Sequence, residues 1–487
     1  MKNRALVWKI TGTIVVVLMS WVVLEMVAGA RRLEGARASL KHKGEPMTWR
    51  EIVPPVSPGA FNGEMEFLAA VDGIEELPKG LLTDRFPVHG EKIPLARYGA
   101  IPTELREQGA AGSRRRWASN IWLELRPIVQ RGQLNWEHAR AAATNELIRI
   151  GLNWDRGVHL TLTHLRGQRH LFEWIHAAVV MDLHDGDREA ALEKVITGFR
   201  LLEIFDEPSL ISALVRVACV RRLSAATWEL LQTDGWSDSQ LSRLQTAVSS
   251  VRFVDSFDRA QQMERCVAEL AWREAVRDSS AFDRLGGLPG DSAIVPMWRA
   301  LLSSRDLAWY LENHQSQLEQ GRAGVKAKSL VAHNAAFAAG TERPPMYYLI
   351  SRTFSLFVET SLKKAFVAEN EREMTITVIA LERFRLKQGR YPERLEQLVP
   401  DWLKEGSVDW MNGGVLHFER LADDDFRLWS VGQDGVDDGG DPTISGTPSG
   451  PHPHDGRDWV WLRASAPTDV QIFIKKQEAE MKAATKP

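Results

Sequence analysis

Near the N-terminus, the run from Ile10 to Ala30 holds 21 residues with a single charge, Glu25, and no later stretch is long and apolar enough to repeat it. At about 1.5 Å per residue, a helix of that length just crosses a hydrocarbon core of about 30 Å. Lys2, Arg4 and Lys9 precede the run, and Arg31, Arg32, Arg37, Lys41 and Lys43 follow it. It reads as a membrane anchor or as a cleaved export signal, since Ala28-Gly29-Ala30 has the small-x-small pattern of a cleavage site. The arginine pair directly behind that site favours an anchor over residues 1–32. Both flanks are basic, and a strict positive-inside count leans towards the reverse insertion. The short basic start and the small-residue exit nevertheless resemble a bacterial secretory signal. They predict a single pass through a bacterial inner membrane with the body in the periplasm.

The 487 residues that carry this segment are enough for about three structural units. Apolar residues at 44% and charged residues at 26% can build sizeable cores, which excludes wholesale disorder. With 61 basic against 64 acidic side chains the net charge is -3, so no overall footprint for nucleic acid exists. Cys219 and Cys266 are too few for a disulfide framework or a four-cysteine zinc module. After export they could pair, or equally remain buried thiols. Eighteen tryptophans against five tyrosines is an unusual balance, and most must lie in cores.

Residues 33–120 are rich in proline and glycine, as in Val53-Pro54-Pro55-Val56-Ser57-Pro58-Gly59, and predict an extended connector with short elements. From 121 to 344 the pattern is helical. Phe172, Ile175, Val179 and Leu183 form one stripe that ends at Gly186, and Leu192, Val195, Ile196, Phe199 and Leu202 form the next. Asp206-Glu207-Pro208 suits a helix start, Asp234-Gly235 a stop, and Ser237 with Gln240 has the spacing of a capping box. Successive antiparallel helices predict a solenoid-like or bundle body, with no repeat of fixed period. Gly286, Gly287, Pro289 and Gly290, then Gly321 and Gly324, break up the segment before Pro344. A long helix is predicted from Met346 to about Gln388, stopped by Gly389.

Within residues 345–466 the order of motifs is specific. Ala380-Leu381-Glu382-Arg383-Phe384 is followed by Gly389-Arg390-Tyr391-Pro392, Leu395-Glu396-Gln397-Leu398-Val399-Pro400, and Ser430-Val431-Gly432-Gln433-Asp434-Gly435. By pattern, Tyr391 covers a turn, Pro392 starts a short helix, and Val415–Glu419 pairs with Phe426–Val431 across Asp423-Asp424-Asp425 as a hairpin. The combination resembles the C-terminal domain of the major pseudopilin of type II secretion systems, over roughly 90 residues. Two departures stand out. The matching helix lies deep in the chain rather than at its start, so polymerisation through it is not expected. The family's Asp-Pro-(Trp or Phe)-Gly turn is here Asp409-Trp410-Met411-Asn412-Gly413, without the proline, which predicts a looser turn. Residues 467–487 read as a charged tail.

Asp434, Asp437, Asp438 and Asp441 share a glycine-rich loop after a strand. Hard cations such as Ca²⁺ take roughly six to eight oxygens, which such carboxylates and loop carbonyls can supply. The pseudopilin resemblance implies calcium in the corresponding loop. The competing reading is a solvated loop whose Asp-Gly pairs make turns. His159, His164, His170, His176 and His184, near Asp182, Asp185 and Asp187, lack the i, i+4 pair of a zinc helix and read as ordinary surface or core histidines. His452, His454 and Asp455 lie in a proline-rich insertion before a strand at Asp458–Arg463. Walker, dinucleotide-binding and nucleophile-elbow motifs are missing from the sequence.

These readings converge on a mainly α protein with an N-terminal transmembrane helix, a multi-helix body and a small C-terminal α+β pseudopilin-like domain. The expected role is a binding or scaffold component with envelope protein partners, linked to a type II secretion or pilus-like assembly. The alternative is an extracytoplasmic hydrolase with a site near His170, His176 and Asp182.

Overall fold

The apolar N-terminal run is part of one continuous helix, α1 (Lys2–His42), in a computed structural model that describes residues 2–78, 81–82, 91–97, 103–106, 115–118, 121–284, 292, 294–340, 342–354, 358–443 and 457–484. Ile14 to Val17, Trp21, Val23 and Leu24 are exposed. This is the one described helix long and apolar enough to cross a membrane. The helix does not end at Arg32, where the anchor segment was expected to stop. It continues for another ten residues because Leu33, Ala36 and Leu40 recur on one face and bury against Leu307, Ala308, Tyr310 and Leu311. Arg32 pairs with Glu312 at 2.6 Å, Arg37 with Glu269 at 2.8 Å and Lys43 with Glu319 at 2.6 Å. Glu25 pairs with Arg305, so the lone charge of the apolar run belongs to the body-facing end. Gly44, at φ +74, stops the helix, and the Glu45 N–H bonds back to the Leu40 carbonyl.

The segment expected as an extended connector contributes to the core where it is described. A short helix α2 (Trp49–Ile52) precedes α3 (Glu64–Val71), whose Phe67, Ala70 and Val71 are buried. Strand β1 (Glu91–Lys92) pairs in parallel with a C-terminal strand, while β2 (Thr103–Arg106) and β3 (Arg115–Ala118) form an antiparallel pair. Apolar pattern outweighs proline and glycine content here: Gly44, Gly59 and Gly73, at positive φ, mark turns between packed pieces.

The body then runs through α4 (Ile121–Arg131), α5 (Gln133–Ala143), α6 (His164–Asp185), α7 (Arg188–Ile204), α8 (Leu210–Leu231), α9 (Asp238–Ser250) and α10 (Val254–Arg277). The predicted punctuation holds for α6 and α9, whereas Gly321 and Gly324, expected to interrupt the later segment, lie inside one continuous helix over Ser303–Ala327. Gly186 ends α6 at φ +86, and Ser237 and Gln240 form the reciprocal capping box of α9. The start of α8 falls slightly later than Pro208, at a Ser209 cap that accepts the Ser212 N–H. Helix α6 is buried on nearly every side, through Leu171, Phe172, Trp174, Ile175, Ala178, Val179, Val180 and Met181, not only along its predicted stripe. It packs on α7 and α8 and comes so close to α3 that a Cβ at Gly167 would lie 2.1 Å from the Val71 carbonyl oxygen. A solenoid element touches only its neighbours in sequence. Here the helix Val358–Gln388 packs on α8 and α9, more than 100 residues away, which makes this body a bundle.

Short helices α11 (Ala281–Arg284) and α12 (Ile294–Met297) lead, through one π turn at Trp298–Leu302, into α13 (Ser303–Ala327), which receives α1. Gly286, Gly287, Pro289 and Gly290 lie outside the described residues. After α14 (Leu330–Gly340), the long helix predicted from Met346 is observed as α15 (Leu349–Phe354) and α16 (Val358–Gln388). Helix α16 packs on α8 and α9.

Gly389, at φ +76, ends α16 as expected. Tyr391 folds its ring against Phe426, with centroids 4.8 Å apart, and its hydroxyl donates to Glu382. A single 3-10 turn at Leu395–Leu398 follows, then β4 (His417–Ala422) and β5 (Asp425–Ser430), antiparallel with Ala422 opposite Asp425. Strand β6 (Trp459–Val460) adds to β5, and β7 (Arg463–Ala464) crosses to β1. The expected strand at Asp458–Arg463 is therefore two short strands in two sheets. The charged tail contains a helix, α17 (Pro467–Ala484), with Val470 buried against Ile93, Leu95 and Val180. One continuous core reaches from Phe67 to Trp459, so the C-terminal α+β unit shares its interior with the bundle.

Candidate functional site

Of the four aspartates singled out in the glycine-rich loop, Asp434, Asp437 and Asp441 accept from nearby N–H groups as caps or tethers. Asp434 accepts the Val436 N–H at 3.1 Å, and Asp437 accepts the Gly439 N–H and the Trp429 indole N–H, both at 3.0 Å. Asp441 accepts the Thr443 N–H at 2.9 Å. Asp438 offers its own N–H to Asp458, which also takes the Gly440 N–H at 2.7 Å. Asp458 is the residue that sequence reasoning missed: it is fully buried, and its Oδ1 has no hydrogen-bond partner among the described residues. Its carboxyl is pushed up chiefly by burial, against the loop N–H groups that favour the charged form. Arg457 stands 3.9 Å from Asp438 and 4.0 Å from Asp441. Among the described residues no three His, Cys, Asp or Glu side chains are grouped to hold a metal ion. His452, His454 and Asp455 lie outside the described residues.

The turn expected to be loose for want of a proline is held from inside. Asp409 is buried and accepts from the Met411 N–H at 2.9 Å, the Ser430 hydroxyl at 2.8 Å and the Val431 N–H at 2.9 Å. One carboxylate thus ties the 409–413 turn to the start of the Ser430–Gly435 loop. Burial pushes its carboxyl up, and the three donors oppose that push. Replacing Asp409 by alanine orphans all three donors and is expected to cost about 2–4 kcal/mol, read as a lowered urea midpoint. An unchanged midpoint would show the turn to be held elsewhere.

The histidines of the helical domain do not converge. His159 meets Glu274 at 3.1 Å, His170 stands 3.8 Å from Glu76, and His184 stacks on Trp122 with centroids 3.8 Å apart. Asp182 is held by Lys194 at 2.5 Å. His170, His176 and Asp182 sit six residues apart along α6, about 9 Å per step. Cys219 on α8 and Cys266 on α10 are both buried free thiols, pushed up by burial.

His164 meets Glu207, which lines a cavity of about 480 Å³ between the end of α7, the start of α8 and the start of α10. Asp206-Glu207-Pro208, read from sequence as a helix start, instead forms the cavity wall. Glu207 accepts the Ser212 hydroxyl and lies 2.9 Å from His164 Nε2, out of line for a hydrogen bond. Ser209 and Ser212 share a hydrogen bond of 2.7 Å. Burial pushes Asp206 up, but Arg259 and Arg149 together hold it below the usual carboxylate range. Arg216, one turn after Ser212, and Arg252 complete the basic lining with Arg200 and Arg259. This grouping draws on residues 146 to 259, a spread that no local motif records.

Comparison with protein-family models, with curated proteins and with solved structures finds no match to this chain.

Proposed function

We propose that this protein is a membrane-anchored binding or scaffold component of a bacterial envelope, with its body in the periplasm and its C-terminal unit presented to protein partners. The observation that supports this best is the docking of α1. Its exposed apolar stretch, Ile14 to Leu24, continues without a break into a face locked on α13 by Leu33, Ala36 and Leu40. An anchor built this way holds the body at a set orientation to the bilayer, which suits assembly more than diffusion to substrate. The helix–turn–hairpin order of residues 358–430 supports the pseudopilin-like reading of the C-terminal unit. The buried, half-partnered Asp458 beneath the aspartate loop supports calcium as an organiser of that loop. The hydrolase reading is the weaker one, because His170 and Asp182 are directed to separate partners, Glu76 and Lys194.

Affinity capture of the full-length tagged protein from solubilised membranes tests the proposal. Specific recovery of secretion or pilus components, lost with chelator and in Asp458→Asn, is the expected result. Recovery of the protein alone would overturn the scaffold role.

A further inference from the structure

Among the described residues, Arg216 is buried in the cavity wall without an ion pair. It is 8% exposed, its Nε has no hydrogen-bond partner, and its guanidinium lies 5.6 Å from the Phe253 ring. Burial pushes it down to about 10, with Glu369, Asp206 and Asp255 opposing from a distance. Each nearby acid has other work. Glu369 accepts the Phe253 N–H at 2.6 Å and Arg372 at 2.8 Å. Asp206 is shared by Arg149 and Arg259, Glu203 by Arg200, and Glu207 by Ser212 beside His164. Asp255 is exposed at the mouth, where water screens it.

An unpaired guanidinium in a buried wall is costly unless something meets its charge. Its planar fork suits two oxygens of one carboxylate or phosphate. Ser212, one turn before it on the same helix, lines the cavity beside it with its hydroxyl given to Glu207. Arg252, exposed on the lining and without an ion pair among the described residues, gives an incoming anion a first contact. A volume of about 480 Å³ is in the range of small-molecule sites.

We propose that this cavity binds a small organic oxyanion, a carboxylate or a phosphate ester, whose charged group sits on Arg216 with Arg252 at the entrance. The inference does not depend on the scaffold role, since it rests on the cavity alone.

The test titrates inorganic phosphate and citrate separately into the full-length protein in detergent, against chloride at matched ionic strength, by calorimetry and thermal shift. Saturable binding of at least one probe is expected, weakened ten-fold or more in Arg216→Gln and a few-fold in Arg252→Gln. Preference between the probes assigns the oxyanion as phosphate or carboxylate. Without ligand, Arg216→Gln should melt no lower than the parent, because it removes a buried charge that lacks a partner. Should that variant fail to fold, Arg216→Lys, which keeps the charge and loses the fork, must still weaken binding. No binding above the chloride control, or unchanged affinity in Arg216→Gln or Arg216→Lys, would overturn the site.

Discussion

Replacing Glu45 by alanine is expected to loosen the anchor from the body and cost about 3–5 kcal/mol, because it strands buried positive charge. Glu45 follows α1 and is 7% exposed. It accepts from Arg265 at 3.2 Å, from Gln315 at 3.0 Å and from Arg322. Arg265 is 1% exposed and has no second ion pair among the described residues, while Arg322 also holds Asp258 at 2.7 Å. Burial pushes Glu45 up, yet Arg322, Gln315 and Arg265 bring it down to about 2. The folded state therefore binds this proton less tightly than the unfolded chain, whose carboxyl titrates near 4.5. The contribution is complete above about pH 4.5 and is lost as pH falls towards about 2. Urea denaturation of the detergent-solubilised protein at pH 7 and pH 3 checks both statements. The parent should lose stability between these values, and Glu45→Ala should be weaker at pH 7 and lose less on acidification. Equal stability of parent and variant at pH 7 would show that the anchor is held by α1 packing alone.

A comparable loss, about 3–5 kcal/mol, is expected for Asp306→Ala, which joins α13 to α15 and to the π turn before it. Asp306 is 0% exposed and accepts from the Trp298 indole at 2.7 Å, the Ile350 N–H at 2.8 Å, the Ser351 N–H at 2.9 Å and the Ser351 hydroxyl at 2.5 Å. Alanine leaves four donors facing a small void. Asparagine keeps the volume but turns one acceptor into a donor, so Asp306→Asn should fall between parent and alanine. Trp298, stacked edge-on against Phe282 with centroids 5.1 Å apart, reports locally by fluorescence. An alanine variant within about 1 kcal/mol of the parent would mean that water replaces the carboxylate. Because Arg305, adjacent in α13, pairs with Glu25 of α1, damage here should also reach the anchor.

Much of the architecture was legible in sequence because its signals act within one or two turns of chain. Gly186 and Gly389 stop their helices in left-handed conformations, Ser237 and Gln240 close a capping box, and the Asp423–Asp425 turn joins β4 to β5. Apolar stripes placed α6 and α7 without knowledge of their partners. The same locality explains the misjudgements. The anchor was ended at Arg32 because charges begin there, although Leu33, Ala36 and Leu40 continue a helical face. Proline and glycine content made residues 33–120 read as connector, although α3 and Ile93 to Leu95 fill core positions.

Hydrophobic spacing, caps and an uninterrupted apolar run determined by themselves that this chain forms a long N-terminal helix, a helical body and a C-terminal hairpin unit. Tertiary structure alone decided which charges meet. Glu45 finds Arg265 and Gln315 across 220 and 270 residues, and Asp458 reaches back 20 to the Asp438 N–H. It also decided that His164 meets Glu207, whose carboxylate lines a cavity, and that Arg216 stands in the same wall with its Nε unpartnered among the described residues. Periodicity records which side of an element turns inward. It carries no record of what waits there, because that depends on how distant elements pack and on which polar groups their packing leaves to be satisfied.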